Sequence, residues 1–415
     1  MKPRIGYDPR MRSPHVLISG ASIAGPALAH WLAAAGWTTT VVERFDTLRD
    51  TGQNIDVRGA AREVVRRMGL DDAVRGATTG ETGTAFVDER GDVVAAFPAG
   101  RSDTGGATAE VEILRGELSR LLYEDTRDGT EYVFGDQITG LDDRPDGVAV
   151  RFARSPERTF DLVVVAEGLG SRTRALAFPD ARTTDLGLYL AYLTIPRTPA
   201  DDDRWRWYNA PRGRQVSLRP DNVGTIRAFL GFLSDVRGLE DLGSHDQAQI
   251  LRKTFRGAGW ATERVLSGLD EPFYFDAVGQ ARLRRWSSGR VVLLGDAAWC
   301  ASPLSGMGTS LALVGAYVLA GELTARDDHR EAFARFEATM RPYVDRAQKL
   351  PPGTPRLAFP RTRTGVTGLR TALRVAASPV AQRLGGLSGR FFSPPADEID
   401  LPRYRSVITG PRIEA

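Results

Sequence analysis

An acidic residue and a glycine turn follow one another closely in the second half of the chain. The apolar run Arg290–Leu294 is typical of a buried strand and ends at Gly295-Asp296. A carboxylate at that point can accept hydrogen bonds from the hydroxyl groups of a sugar-like chain. The apolar stripe from Thr309 predicts a helix, whose N-terminus favours negative charge. We therefore predict a socket for a polar cofactor, formed by Gly295, Asp296, Pro303, Gly306, Met307 and Gly308.

A stretch near the N-terminus has the spacing of a dinucleotide-binding unit. His15–Ser19 predicts a strand, a glycine turn and an apolar helix follow, and Thr38–Val42 predicts the next strand. In such a βαβ unit the pyrophosphate lies at the helix N-terminus, and an acid about twenty residues further on binds a ribose hydroxyl. Ser22 replaces the middle glycine, so its side chain must clear the phosphates or bond to them. The predicted contacts are Gly20, Ser22, Ile23, Ala24, Gly25, Glu43 and Arg44.

Three more stretches place polar groups where they could contact a nucleotide. Phe160–Ser171 predicts a buried strand that runs into a glycine turn, and Ile113–Tyr123 predicts a helix. The loop that begins at Gly52 becomes a helix near Ala60. Arg58 and Arg115 could instead be solvated surface residues, and that alternative stays open. The residues concerned are Arg58, Arg115, Glu167 and Gly168.

Together these motifs resemble the class A flavoprotein monooxygenases, the family of para-hydroxybenzoate hydroxylase, aromatic-polyketide hydroxylases and tetracycline-inactivating enzymes. The family pattern G-R-V-x-L-x-G-D-A-A-H-x-x-x-P-x-x-G-x-G is similar to residues 289–308. The pattern D-x-V-V-x-A-D-G-x-x-S-x-x-R is similar to residues 161–174, and Arg115 matches the arginine of I-x-R-x-x-L. Two departures are plain, because Trp299 stands where histidine is usual and Glu167 where aspartate is usual.

The resemblance implies FAD as cofactor and an aromatic compound as substrate. NADH or NADPH would reduce FAD, O2 would add at flavin C4a, and the hydroperoxide would hydroxylate an electron-rich ring. Because the flavin carries the chemistry, no side chain is singled out as the catalytic group. The resemblance places Arg58 near the flavin or the nicotinamide phosphate, and Arg115 and Asp296 at the pyrophosphate and ribityl chain. It places Pro303, Gly306, Met307 and Gly308 around the flavin ring.

The expected fold class is α/β: a Rossmann-like FAD-binding domain with a mostly parallel sheet, an inserted antiparallel substrate-binding sheet and C-terminal helices. The middle region alternates apolar and polar residues between Pro, Gly and Asp turns, which is typical of an antiparallel sheet. Residues 328–350 predict a long helix with a capping acid. We expect the FAD-binding domain over residues 15–180 and 281–350, the substrate sheet over 181–280, and a helical segment over 351–415.

Composition argues against several other functions. The chain has 55 Lys and Arg against 52 Asp and Glu, and a net charge of +3 does not support nucleic-acid binding. The single Cys300 cannot form an intramolecular disulfide, and no run reaches the about 18 apolar residues of a membrane span. The four histidines lack metal-ligand spacing, and polar Met1–Pro14 lacks the apolar core of a signal peptide. We expect a cytoplasmic monomer or homodimer without metal, membrane or nucleic acid.

Ten aromatic residues in the middle region indicate a flat substrate. In alternating strands about half of them should lie on the covered face of the sheet, where a ring could stack. Arg212, Arg214 and Arg227 could pair with a phenolate or carboxylate. We expect a bulky or polycyclic phenol, such as an aromatic polyketide or tetracycline-like compound, although the same residues could simply fill a core. They are Tyr189, Tyr192, Trp205, Trp207, Tyr208, Phe229, Phe232, Phe273, Tyr274 and Phe275.

Two other functions stay open. A flavin oxidase, dehydrogenase or reductase could use the same scaffold, and it would reduce its flavin with substrate but insert no oxygen. A non-catalytic flavin-binding regulator is the second alternative, motivated by the departures at Trp299 and Glu167. Such a regulator would oxidise no NADH or NADPH with any substrate.

Overall fold

A six-stranded sheet forms the centre of the first layer of the protein. The computed structural model describes residues 13–49, 52–99, 111–378 and 399–404, and elements are numbered in chain order. Neighbouring strands pair in parallel, except at the edge formed by residues 287–288. Runs of Val, Leu and Ile are buried, as expected for a parallel sheet covered on both faces. The spatial order is β17 (Ser287–Ser288), β18 (Val291–Leu293), β11 (Leu162–Val165), β1 (His15–Ser19), β2 (Thr38–Glu43) and β7 (Thr130–Phe134).

Helices that pack on one another accompany this sheet. α1 (Ala24–Ala34) contacts α4 (Arg115–Thr126) and α9 (Gly308–Ala325). α9 also contacts α2 (Ala60–Arg67) and α10 (His329–Ala347). By length and composition α9 could cross a membrane, but 78% of it is buried inside the protein. Its uniformly apolar sequence is therefore that of a central core helix.

A seven-stranded sheet forms the second layer. Neighbouring strands are antiparallel, except that Arg204–Ala210 pairs in parallel with Gly83–Val87. They are β16 (Tyr274–Ala281), β12 (Thr183–Pro196), β15 (Thr225–Leu233), β14 (Arg214–Pro220), β13 (Arg204–Ala210), β4 (Gly83–Val87) and β5 (Val93–Pro98). β4 and β5 come from well before residue 181, so two separate parts of the chain build the sheet. α6 (Ser244–Phe255) and α7 (Thr262–Ser267) pack on one face, which we call the back face.

A two-stranded ribbon, β3 (Asn54–Asp56) with β6 (Glu112–Leu114), lies between the two layers. Ile113 was predicted to be helical, but it pairs with Ile55 across this ribbon, and the helix begins only at Arg115. Strand pairing with a distant segment outweighs the local helical spacing here. The remaining elements are β8 (Ile138–Arg144), β9 (Gly147–Phe152), β10 (Arg158–Phe160), α3 (Asp71–Gly76), α5 (Arg172–Ala177), α8 (Asp296–Trp299), α11 (Arg363–Ala376) and 3-10 turns at Leu239–Asp241, Gly268–Asp270 and Pro303–Ser305.

The C-terminal part of the chain returns to the core helix. Tyr404 donates a hydrogen bond to Glu322 at 2.6 Å, and Tyr317 donates one to the carbonyl oxygen of Pro402 at 2.7 Å. The predicted C-terminal helix is present as α11, and the part expected beyond residue 378 lies outside the described residues. The same holds for residues 1–12 of the polar stretch Met1–Pro14.

Candidate functional site

The first glycine turn is too tight to hold a side chain at either end. Gly20 has φ +114°, and a Cβ there would lie 2.5 Å from the carbonyl oxygen of Ala166. A Cβ on Gly25 would lie 2.0 Å from the carbonyl oxygen of Gly20. Glycine at both positions therefore lets the start of α1 approach the ends of β1 and β11 closely.

The N-terminus of α1 lies at this turn without a cap. Its N-cap residue, Ile23, offers no capping side chain, and its first turn contains no acid. Uncapped N–H groups at a helix N-terminus attract an anion such as a phosphate. The Cβ of Ala24 lies 3.1 Å from the position that a Cβ on Gly295 would take. The two glycine motifs, far apart in sequence, are thus in contact.

Arg115, the first residue of α4, reaches the same turn. Its Nη2 donates a hydrogen bond to Ser22 Oγ at 2.8 Å across 93 positions of sequence. Burial, and then the neighbouring Arg49, lower the pKa of Arg115, whereas Asp296 and Glu43 act in the opposite direction. The Arg115 guanidinium therefore interacts electrostatically with both Asp296 and Glu43, the two acids predicted from the sequence to bind the cofactor. The alternative of a solvated surface arginine is wrong for this residue.

Asp296, at the start of α8, is accessible to solvent and yet surrounded by protein. Loss of hydration raises the pKa of its carboxyl, and Arg115 opposes that rise. A Cβ on Gly308 would lie 3.9 Å from Asp296 Oδ1. A side chain that is open to water but enclosed on most sides forms part of a cleft wall. This cleft lies between the start of α1, Arg115 and the start of α9.

The turn that leads into α9 is open towards this cleft. Gly306 has φ +63°, and no atom lies within 4 Å of the position of a Cβ there. Met307 is buried and is the N-cap residue of α9, which has neither a capping side chain nor an acid in its first turn. Leu304, in the Pro303–Ser305 turn, packs against an apolar cluster of the seven-stranded sheet. The turn therefore lies between the two layers.

Glu43 ends β2 beside the first glycine turn. Its carboxylate accepts hydrogen bonds from the backbone N–H of Ala21 at 2.9 Å and of Phe45 at 3.1 Å. The acid thus lies at the turn, where the dinucleotide spacing expects a ribose-binding group. Arg44 is exposed, and together with Phe45 and Gln137 it lines a surface depression of about 380 Å³.

Glu167 is saturated by hydrogen bonds from the protein itself. Its carboxylate accepts from Ser19 Oγ at 2.5 Å, from Ser171 Oγ at 2.8 Å and from the backbone N–H of Thr173 at 3.1 Å. The Thr173 hydroxyl donates a further bond. Glu167 therefore ties the end of β1 to the start of α5. The adjacent Gly168 has φ +94° and open space where a Cβ would lie.

Arg58 is buried, and the alternative of a solvated arginine at a helix start is wrong. Its guanidinium donates hydrogen bonds to Asp56 Oδ2 at 2.8 and 3.1 Å. Its backbone N–H donates to Ser310 Oγ, in the first turn of α9, at 3.2 Å. The ribbon is thereby fastened to the helix start that borders the cleft.

The face of the seven-stranded sheet opposite the back face carries a continuous row of rings. In order across the strands, the rings are Tyr274, Tyr192, Phe229, Trp207 and Phe86, and we call them the aromatic row. Successive ring centroids lie 6.3, 5.9, 5.8 and 6.2 Å apart. Leu188 and Leu190 lie on the same face as Tyr192, because residues two apart in a strand share a face. Both leucines belong to the cluster that Leu304 contacts. The row therefore faces the turn before α9.

Four other aromatic residues of these strands are core residues of the back face. Tyr189, Tyr208, Phe232 and Phe275 are buried in one cluster with α6 and α7. Alternation along the strands thus divides the aromatic residues between the two faces, as expected. The face covered by helices is filled by the protein, and the opposite face presents rings to the cleft.

Two of the three arginines expected to bind substrate are engaged by other groups of the protein. Arg214 bonds the carbonyl oxygens of Pro211 and Thr254 on the back face, at 2.8 and 3.0 Å. Arg227 pairs with Asp221 at 3.0 Å. Sequence reasoning overlooked Arg219, whose guanidinium lies 3.9 Å above the ring of Trp205. Ser217 pairs with Phe229 on the neighbouring strand, and Arg219 lies two residues further along the strand of Ser217. Alternation along this strand could therefore have placed Arg219 on the face of the aromatic row.

The departure at Trp299 does not reach the cleft. Trp299 is 1% exposed and packs against Trp286 and Phe336, with centroids 4.5 and 5.7 Å apart. A Cβ on Gly315 would lie 2.8 Å from its ring, so glycine in α9 makes room for the indole. Cys300 is buried, and burial raises the pKa of its thiol. Both residues are packing residues, and within the described ranges no group of acids, His and Cys is arranged to hold a metal ion.

Similar proteins establish the class to which this fold and cleft belong. Residues 14–329 match the FAD binding domain family. The chain is 35% identical to the FAD-dependent monooxygenase asL4 of Sarocladium schorii over 396 residues, covering 87% of this chain and 92% of that protein. It is 36% identical to the flavin-dependent monooxygenase eupH of Phoma sp. over 426 residues, covering 95% and 98%. The crystal structure of tetracycline destructase Tet(55) matches with a TM-score of 0.77 and 32% identity, covering 94% of this chain and 99% of that one.

The fold and the cleft are those of an FAD-binding flavoprotein with a parallel nucleotide layer and a separate antiparallel sheet. The chain belongs to the class A flavin monooxygenase family and is an FAD-dependent monooxygenase. The family, fold class and enzyme class predicted from the sequence are therefore confirmed.

Proposed function

We propose that this enzyme uses FAD, NADH or NADPH, and O2 to hydroxylate a bulky or polycyclic phenolic compound. The observation that carries the proposal is the aromatic row, which offers five rings from five strands on the face turned towards the Pro303–Ser305 turn. A single ring would stack on one or two of them, whereas a polycyclic system could lie along several. Similarity to a tetracycline destructase supports the same class of ligand.

The site residues fit FAD as an extended, anionic dinucleotide. The uncapped N-terminus of α1 and the Arg115 guanidinium suit the pyrophosphate, and Asp296 suits the ribityl hydroxyls. Glu167 acts by holding the glycine turn at Gly168 in place. We assign the adenosine half to Gly20, Ser22, Ile23, Ala24, Gly25, Glu43 and Arg44, and the flavin surroundings to Arg58, Gly295, Pro303, Gly306, Met307 and Gly308.

FAD bound there supplies the redox chemistry, taking two electrons from NADH or NADPH and activating O2. One oxygen atom enters a ring C–H bond and the other leaves as water, so one nicotinamide and one proton are consumed per turnover. The contribution of the chain is electrostatic, because the start of α9 favours negative charge on a nearby group by about 0.3–1 kcal/mol. The rings of the opposite layer orient the substrate and exclude water from the cleft.

The proposal is tested by measuring NADH and NADPH oxidation and hydroxylated product for tetracycline and for para-hydroxybenzoate. We expect coupled turnover with tetracycline or another polycyclic phenol and little with the single ring. Coupled turnover confined to single-ring acids would overturn the substrate class. Substrate-dependent flavin reduction without oxygen insertion would instead identify an oxidase or dehydrogenase.

A pair of matched variants tests the aromatic row. Phe229→Leu removes a ring from the row, and Phe275→Leu removes one from the back face. We expect Phe229→Leu to raise the KM for tetracycline about two- to tenfold, since aromatic pairs contribute roughly 0.5–1.5 kcal/mol beyond burial. Phe275→Leu should lower thermal stability and leave KM nearly unchanged. Equal effects of both variants on KM would contradict the assignment of the two faces.

A further inference from the structure

Arg219 is held from two sides at the edge of the aromatic row. One face of its guanidinium covers Trp205, with 3.9 Å from Cζ to the ring centroid. Its nitrogens pair with Glu81 at 2.7 Å, Glu112 at 2.6 Å and Asp56 at 3.6 Å. All four side chains are at most 11% exposed, so they interact with one another rather than with water.

Two of the three acids belong to the ribbon rather than to the seven-stranded sheet. Asp56 is in β3 and Glu112 is in β6. Asn54, also in β3, donates hydrogen bonds to Glu112 at 2.5 Å and to the carbonyl oxygen of Pro220 at 2.9 Å. The same ribbon is fastened to the start of α9 near Arg58. The ribbon therefore fixes the position of the Arg219 guanidinium relative to the helix start that borders the cofactor cleft.

Trp205 lies between Arg219 and the aromatic row and contacts both. Its ring lies 4.3 Å from that of Trp207, and its Nε1 donates a hydrogen bond to Ser217 Oγ at 2.5 Å. Trp207 in turn contacts Phe229, with a centroid separation of 5.8 Å. Among the described residues, Trp205 is held by this hydrogen bond, by the contact with Trp207 and by Arg219, so that without the flat guanidinium its indole could rotate away from Trp207.

We propose that Arg219 is a positioning residue that holds Trp205 against Trp207 and so fixes the ring plane on which a polycyclic substrate stacks. The second half of this statement rests on the proposed function, and the first half does not. The guanidinium suits this role because it is planar and stacks on aromatic faces, whereas a lysine in its place would keep the charge and lose the flat contact. Arg219→Lys therefore leaves the acids with a cation while removing the stack.

The first measurement needs no substrate. Two indoles 4.3 Å apart couple excitonically and give a paired signal in far-ultraviolet circular dichroism. Trp205→Phe in the FAD-loaded enzyme defines the loss of this signal, and we expect Arg219→Lys to remove at least about half of it, because loss of the flat contact frees the ring. An Arg219→Lys protein with the full signal of the wild type would overturn the proposal. Should Arg219→Lys fail to fold, a fully folded Trp205→Phe protein with unchanged tetracycline affinity would overturn it.

The second measurement is the affinity of the FAD-loaded enzyme for tetracycline, followed by quenching of tryptophan fluorescence. Arg219→Lys should weaken binding about tenfold, since an ordered cation–π stack is lost and the wall loosens. Arg341→Gln is the matched control, because Arg341 lies 4.0 Å above Trp286 of the remote pair Trp286–Trp299. It should alter the dichroism of that pair and leave tetracycline binding unchanged.

The two measurements separate the two claims. Loss of the Trp205–Trp207 signal in Arg219→Lys with unchanged tetracycline affinity would overturn the role of the pair in substrate binding. If the wild type binds no polycyclic phenol, the proposed function fails, and the dichroism alone decides whether Arg219 positions Trp205. Loss of both signal and affinity, with normal FAD content, is the result that we expect.

Discussion

Replacing Glu81 with glutamine should make the protein more resistant to rising pH. Burial raises the pKa of the Glu81 carboxyl from its usual value of 4.5 to about 9; Arg219 opposes the rise, and Glu112 adds to it. The charged groups that face Glu81 are therefore Arg219 of β14 and Glu112 of β6, with Asp56 of β3 on the far side of the guanidinium. At neutral pH the folded protein holds a proton here that the unfolded chain releases.

The sign and size of the effect follow from proton linkage. Between pH 4.5 and about 9 the folded state binds one more proton than the unfolded state, so the free energy of unfolding falls as pH rises. One proton difference gives a slope of about 1.4 kcal/mol per pH unit, so the free energy of unfolding should fall by about 3 kcal/mol between pH 6 and pH 8. Glutamine keeps the shape of a neutral carboxyl and has no such slope.

The assay is thermal unfolding of FAD-loaded wild type and Glu81→Gln between pH 6 and pH 8. For a chain of 415 residues, a change of about 3 kcal/mol corresponds to about 3 °C in Tm, given about 2.1 cal/mol/K of unfolding entropy per residue. Between pH 6 and pH 8 the Tm of the wild type should therefore fall by about 3 °C relative to the Tm of Glu81→Gln. Parallel Tm profiles for the two proteins would refute the reasoning. Glu112→Gln is the control, because it removes an ion-pair partner of Arg219 and should be destabilising even at pH 6.

Three further substitutions test the cleft and its surroundings. Gly25→Ala should abolish soluble, yellow protein, because its Cβ would lie 2.0 Å from the carbonyl oxygen of Gly20, and flavin absorbance of the purified fraction checks this. Gly308→Val should fold with normal far-ultraviolet dichroism but retain much less FAD than Gly308→Ala, as its methyl groups would enter the space beside Asp296; equal flavin content in both would contradict the placement of the cofactor. Trp299→His should cost about 3 kcal/mol of stability through lost core packing, measured by denaturant unfolding, and leave the flavin spectrum unchanged in the folded protein.

The sequence by itself determined the local framework of the site. Gly25 is required by the turn itself, because a Cβ there would meet the carbonyl oxygen of Gly20, and the strands on either side show as short apolar runs. The same is true of Asp296 and the glycines before α9, because strand, turn and helix start are contiguous in the chain. Hydrogen bonding and periodicity over short distances leave a readable pattern, and that pattern was enough to predict the family and its cofactor.

Only the tertiary structure decided which side chains meet. Arg115 reaches Ser22 across 93 positions, and Arg58 proved to be a buried ion-pair partner rather than a solvated residue. Alternation predicted two faces for the aromatic strands, but only the docking of α6 and α7 showed which face the protein fills and which faces the cleft. Alternation along the strand could have placed Arg219 on the face of the aromatic row, but it could not show its ion pairs, because the acids come from three segments that only the folded ribbon and sheet bring together. Contacts between distant segments depend on how whole layers pack, and no short stretch of sequence records that packing.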